Sequence, residues 1–229
     1  MRVFLANALA FDYGPCAFID RYKPDTVFSS IDQQGRYAYS NQPSIGHWNL
    51  CRFAESLLPI IHPDENKAIE LAQAAINTYA TIYEKAWRNG LARKLGFSEC
   101  TEEIGLLGKD YLQILDSTGA DYTLSFRALI RQELSNDFSS WFERWNHLIK
   151  QQPGGLSTAQ ERMSNLNPVV IPRNHLVQAA LDDAEQGDMT RFNDLLKVCV
   201  TPYDVAHQER GYAKPPPDNF GPYVTYCGT

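Results

Sequence analysis

The stretch Val3-Phe4-Leu5-Ala6-Asn7-Ala8-Leu9-Ala10-Phe11-Asp12-Tyr13-Gly14-Pro15 decides how this chain is read. Val3 to Ala6 has the composition of a buried strand. It leads toward Asp12-Tyr13-Gly14-Pro15, a turn-forming loop with a carboxylate at its head. A carboxylate held at the end of a buried strand is a hard oxygen donor of the kind Mg²⁺ takes. The same residue type also caps turns beside glycine, and for an isolated triplet that structural role competes with the metal role.

The apolar run Phe4 to Phe11 covers eight residues, against about 20 needed to span a bilayer. Arg2 precedes it, but no small-residue cleavage site follows before Asp12, so a strand is expected rather than a leader. With 229 residues, 44% of them hydrophobic, the chain can bury a substantial core as one large domain or two small ones. Its 21 basic and 27 acidic residues leave a net charge of −6. With no dense Lys/Arg block, that balance disfavours nucleic acid and anionic membranes as partners, while a local basic site for phosphates stays compatible. Cys16, Cys51, Cys100, Cys199 and Cys227 form no CxxC pair and have no histidine at ligand spacing, which argues against zinc. An odd, scattered set fits a reducing compartment, and a cytoplasmic location is expected.

Downstream the pattern is helical. A loop rich in turn formers runs from Asp20 to Pro43, and Pro43 suits the first turn of a helix carrying Ile45, Trp48, Cys51, Phe53 and Leu57. Pro63-Asp64-Glu65 opens a second helix, whose apolar positions Ile69 to Trp87 recur up to Gly90 or Gly96. Thr101 with Glu102 and Glu103 starts another, which stops at Ser117-Thr118-Gly119. Helices are expected over Tyr122 to Leu134, around Phe138 to Ile149, over Asn174 to Glu185 and over Asp188 to Val198, with a break at Gln151 to Gly155. Trp48, Trp87, Trp141 and Trp145 read as core residues. Past Pro202 the chain is Pro-rich and reads as an extended tail. The organisation expected is a strand, metal-type loop and activation-segment-like region over 1–43, a helical body over 44–200 and the tail over 201–229.

Asp-aromatic-Gly after a strand resembles the metal-binding loop of protein kinases, where the Asp holds Mg²⁺ against the ATP phosphates. Further stretches match one family in order. These are Phe18-Ile19-Asp20, Gly35-Arg36-Tyr37, Asn41-Gln42-Pro43, Trp48-Asn49-Leu50, Asp121-Tyr122-Thr123, Asn167-Pro168, Ile171-Pro172-Arg173-Asn174-His175, Tyr212-Ala213 and Cys227. Together they resemble the selenoprotein O pseudokinases, which are protein adenylyltransferases. The resemblance implies a mainly α fold, the C-terminal lobe of a protein-kinase-like architecture with a short strand before the metal loop. It implies transfer of AMP from ATP to Ser, Thr or Tyr hydroxyls of protein substrates, with Mg²⁺ or Mn²⁺ as cofactor and Asp12 as metal and nucleotide-site residue.

The chain also departs from the family's pattern. The family places a metal-binding Asn nine residues before the loop Asp, preceded by a catalytic Asp, whereas Val3 and Arg2 stand there. Val3 has no oxygen to offer, and Arg2 would repel a metal and accept no proton. The Gly-rich loop, Lys/Glu pair and phosphate-clamping arginines have no counterpart. Little catalysis is therefore expected of this chain alone. Two origins fit, a fragment complemented by a separate N-terminal nucleotide lobe or a degenerate paralogue. The competing function is a noncatalytic helical interaction module.

Arg173 and His175 are candidates for the active face, with helix N-capping the favoured role for Asn174. Arg36 and Asn41 are read as loop-pinning residues that could touch substrate. Cys227, third from the end, matches the family's selenocysteine position. Cys16 is its expected redox partner, against an alternative in which the tail thiol is inert.

Overall fold

The computed structural model describes residues 18–221 and 223. It is mainly helical, as expected. Its helices are α1 (Gln42–Ile61), α2 (Glu65–Ile76), α3 (Tyr79–Lys94), α4 (Glu102–Thr118), α5 (Tyr122–Arg131), α6 (Ser139–Lys150), α7 (Gly155–Leu166), α8 (Asn174–Glu185), α9 (Thr190–Cys199) and α10 (Ala206–Glu209). The strand expected before Asp12 lies outside the described residues. Among those described, β pairing is limited to one isolated antiparallel bridge, Arg21 with Asp121. No helix among them is long and apolar enough to cross a membrane.

Two compact units divide the described chain: Pro24–Trp87, and residues 18–23 together with 88–223. In the first, the loop before α1 is organised by Asp32, whose carboxylate accepts the backbone N–H groups of Arg36 and Tyr37 at 2.7 and 2.8 Å. Asn41 donates its side-chain amide to the carbonyl of Gly35 at 2.8 Å, the loop-pinning role expected of it. Pro43 sits in the first turn of α1, and Asp64 caps α2 by accepting from the N–H of Lys67.

The single long helix expected over Ile69 to Trp87 is two helices. At the break, the side-chain amide of Gln73 donates to Asn77 Oδ1 and the hydroxyl of Thr78 to the carbonyl of Ala75. Such local bonds offer the backbone an alternative to continuing the helix. The apolar period runs straight through the break, so it carried no warning.

The second unit holds the well-packed core. Thr101 caps α4, its hydroxyl accepting from the N–H of Ile104, and Gly119 ends the helix with φ 64°, a left-handed conformation that favours glycine. α4 buries seven residues, among them Leu107, Tyr111 and Leu115. Tyr111 lies at ring-centroid distances of 5.0 Å from Phe126, 5.4 Å from Phe138 and 4.6 Å from Trp141, the range in which aromatic pairs attract. Trp141 and Trp145 are buried as expected, and their indole N–H groups donate to the carbonyls of Leu107 and Leu95, each at 2.8 Å. Trp48 corrects the expectation of a core residue: it is 45% exposed. Its ring carries the guanidinium of Arg36 at 4.6 Å and that of Arg52 at 5.6 Å from its centroid. Its helical spacing reported a face, and that face meets cations.

Helix α7 was not anticipated. Leu156, Ala159, Met163 and Leu166 do recur at three- and four-residue steps, with Ala159 and Met163 buried. Polar residues fill every position between them, and the preceding Gly154-Gly155 reads as a break. In the tail, α10 and the turn at Asp218–Phe220 interrupt what was expected to be extended. A smaller apolar cluster of Val169, Val170, Val198 and Ala213 closes this end of the unit.

Gly108 of α4 lets the end of α3 approach closely, since a Cβ there would come within 2.8 Å of Leu91 Cδ2. Overpacking costs about 1–3 kcal/mol, set against the roughly 1 kcal/mol that alanine gains over glycine in a helix. Gly108→Ala is therefore expected to destabilise by up to about 2 kcal/mol, seen as a lowered urea midpoint. A raised midpoint would contradict the packing described.

Candidate functional site

Asp12, Cys16 and Cys227 lie outside the described residues. The nearest part of the candidate site that the structure describes is the segment leaving the loop, Phe18 to Tyr22, together with what holds it. Gly119 turns the chain out of α4 so that Ala120 and Asp121 run extended beside this segment. The N–H of Tyr22 donates to the carbonyl of Ala120 at 3.3 Å, and the N–H of Tyr122 to that of Asp20 at 2.7 Å. The rings of Tyr22 and Tyr122 stack with centroids 5.7 Å apart.

The side chains lock this pairing. Asp121 caps α5 through Oδ1, which accepts the N–H of Leu124 at 2.8 Å, and its Oδ2 accepts Nη1 of Arg173 at 2.7 Å. The same Nη1 donates to Oδ1 of Asp20. Arg173, at the N-terminal boundary of α8, is 1% exposed. Its neighbour Asn174 grips the segment a second time. The side-chain carbonyl of Asn174 accepts the N–H of Phe18 at 3.2 Å and its amide donates to the carbonyl of Phe18 at 3.0 Å. Asn174 is thus the first residue of α8 and not its N-cap: its side chain is spent on the distant Phe18 backbone. Asp20 and Asp121 received no individual role from the sequence. For Asp121 a signal existed, an Asp three residues before the apolar Leu124 at a helix start; for Asp20 there was none.

Electrostatics favour the charged guanidinium. Burial alone would lower the Arg173 pKa, but the hydrogen bonds and charges of Asp121 and Asp20 outweigh it and hold the group above its ordinary value. Nη2 and Nε of Arg173 and Nδ1 of His175 are buried without a hydrogen-bond partner among the described residues. Burial lowers the pKa of His175, opposed by Asp20 and reinforced by Arg173. Arg173 and Asn174 therefore clamp the segment 18–20, His175 feels the charge of Asp20 without a bond to it, and Arg36 and Asn41 belong to the other unit.

No group of three or more His, Cys, Asp or Glu side chains that could hold a metal ion occurs among the described residues. The described site positions a segment. It does not itself form an ion cage. Cys51, Cys100 and Cys199 are free and part-buried, and burial raises the Cys199 thiol pKa.

A model of the family described as protein adenylyltransferase SelO matches residues 6–200, a span that takes in Asp12 and the whole clamp. The chain belongs to the SelO family. Relatives named protein nucleotidyltransferase YdiU include those of Halalkalibacterium halodurans, 47% identical, and Alkaliphilus metalliredigens, 45% identical, each match covering 95% of this chain and 46% of the relative. The relative from Geobacillus kaustophilus is 46% identical over 95% of this chain and 47% of its own length. The chain thus spans about half the length of the curated relatives it matches.

Removing the cation from a buried network leaves its carboxylates uncompensated, a loss of about 3–5 kcal/mol. Arg173→Met is expected to destabilise by that order in chemical denaturation, and a change under about 1 kcal/mol would contradict a buried network. A lowered folded-state pKa at His175 means that the unfolded chain takes up the proton first. Its contribution is present above the unfolded value of about 6.5 and is lost as pH falls through the lower folded value. The melting temperature is expected to fall on acidification through this range, less steeply in His175→Gln. Identical slopes in the two proteins would contradict the assignment.

Proposed function

We propose that this chain is the part of a protein adenylyltransferase that carries the metal loop, in the C-terminal lobe of a kinase-like architecture. The reaction served is transfer of AMP from ATP to Ser, Thr or Tyr hydroxyls of protein substrates. The observation that carries this reading is the family match across residues 6–200, with the exit of the Asp12 loop anchored at Phe18 and Asp20 by Arg173 and Asn174.

In this reading Asp12 would hold a Mg²⁺ or Mn²⁺ ion, which would supply charge neutralisation at the ATP phosphates. The residues of this chain do the positioning. Arg173 fixes Asp20 and Asn174 fixes the backbone of Phe18, the residues that follow the Asp12 loop in the chain. Orientation of this kind commonly separates an active site from an inert one by powers of ten in rate. Val3 and Arg2, at the positions of the family's Asn and catalytic Asp, take those two groups away, so the chain by itself is assigned no turnover.

A second reading, a noncatalytic helical interaction module, has the exposed apolar side of α1 in its favour. A chimera separates the two: this chain replaces the stretch it matches in the G. kaustophilus relative, with the unaltered relative as reference. Label transfer from α-labelled ATP to protein is expected from the chimera and not from the chain alone, with at least a hundredfold loss in Asp12→Ala. A folded chimera without transfer beside an active reference would leave the module reading, and full activity in Asp12→Ala would overturn the metal role of Asp12.

A further inference from the structure

Helix α1 is amphipathic: a broad apolar side takes in Phe53, Leu57 and Ile60, and a polar side carries Ser44, Asn49, Arg52 and Glu55, of which Arg52 and Glu55 pair with each other. An apolar side of that breadth normally packs against a core. Yet of its 20 residues only Gly46 is buried, whereas the 17-residue α4 buries seven. Part of the α1 surface is accounted for. α1 packs against α2, the ring of His47 meets that of Tyr79 at 5.4 Å, and Trp48 carries the guanidinium groups. The unaccounted side is the one bearing Phe53 and Ile60. These are seven residues apart and so stand on the same side of the helix, with the half-buried Leu57 between them. Phe53 is 60% exposed and Ile60 79% exposed. An aromatic and a branched aliphatic side chain left together in water mark a surface made to be covered.

The length of the relatives points to what covers it. This chain accounts for 46% of the H. halodurans relative, so more than half of that protein's length lies elsewhere. With Arg52 neutralised by Glu55, the face offers no charge that would select an ion or a polynucleotide, only an apolar stripe two turns long.

We propose that the Phe53–Leu57–Ile60 side of α1 is the docking surface for the half of the family's sequence that this chain does not contain. It deepens the reading above, since the covering half is the one that would bring the groups missing at Val3 and Arg2. It stands or falls separately, because docking requires neither metal nor nucleotide.

The test mixes the full chain with the portion of the H. halodurans relative outside the matched stretch, made as a second polypeptide, without ATP or divalent ions. Sedimentation velocity is expected to show a one-to-one complex, and the double variant Phe53→Asp/Ile60→Asp to weaken it at least a hundredfold, with the melting temperature of the chain unchanged because both side chains already face water. Absence of a complex, undiminished binding by the variant, or a lowered melting temperature that shows these residues packed within the chain would each overturn the proposal. So would a wild-type self-dimer that the variant dissolves, which would make a second copy the occupant. Should the second polypeptide fail to fold alone, maleimide labelling of Ile60→Cys decides. It is expected to be rapid in the isolated chain and at least tenfold slower in the chimera, and equal rates would overturn the proposal.

Discussion

The place of the segment 18–22 in the second unit depends on one buried cation, Arg173. The Arg173 guanidinium reaches two carboxylates through one nitrogen, and those carboxylates belong to segments far apart in the sequence: Asp20 just past the candidate metal loop, and Asp121 at the start of α5. Each partner does a second job through its remaining polar groups. Asp121 caps α5, the carbonyl of Asp20 accepts the N–H of Tyr122, and Asn174 next door binds both polar atoms of the Phe18 backbone. None of these is strong alone, since a net hydrogen bond is worth about 1 kcal/mol. They share atoms, however, so loosening one releases the others. A buried charge left unpaired is far more costly than any of them, and that asymmetry keeps the segment in place.

This wiring gives the family membership a physical content. In the proposed function a loop that presents a carboxylate to a metal needs that carboxylate to return to one position, and the supports at the loop exit would serve that end. The supports come from α5, held to the aromatic core by the contact of Phe126 with Tyr111, and from α8, which packs against α9. The first unit is built otherwise. Its loop is organised locally by Asp32 and Asn41, its helices bury little, and its α1 keeps an apolar side in water. One unit is a finished core. The other leaves apolar side chains such as Phe53 and Ile60 exposed.

What the sequence disclosed follows from how local each signal is. Thr101 and Gly119 bracket α4, and Asp64 starts α2, because a cap is decided within three or four residues. The division between α2 and α3 was hidden, since the hydrogen bonds of Gln73 and Thr78 leave no trace in apolar spacing. Helix α7 was masked by glycines at its start and by a thin stripe. Trp48 was misjudged because periodicity tells which residues share a face and not what that face meets. The clamp was beyond reach of any pattern: positions 20, 121 and 173 are joined only by folding, and Asn174 was assigned the local role of a cap because its distant partner could not be seen. The family motifs had marked all of these positions, without saying that they touch.

Amide hydrogen exchange at Tyr22 and Tyr122 tests this account most directly, because their N–H groups join the loop exit to the turn before α5. If Arg173 holds the segment in the core, both amides exchange as slowly as those of α4, through opening of the whole unit. Exchange at the rate of a free loop, with α4 still protected, would contradict it.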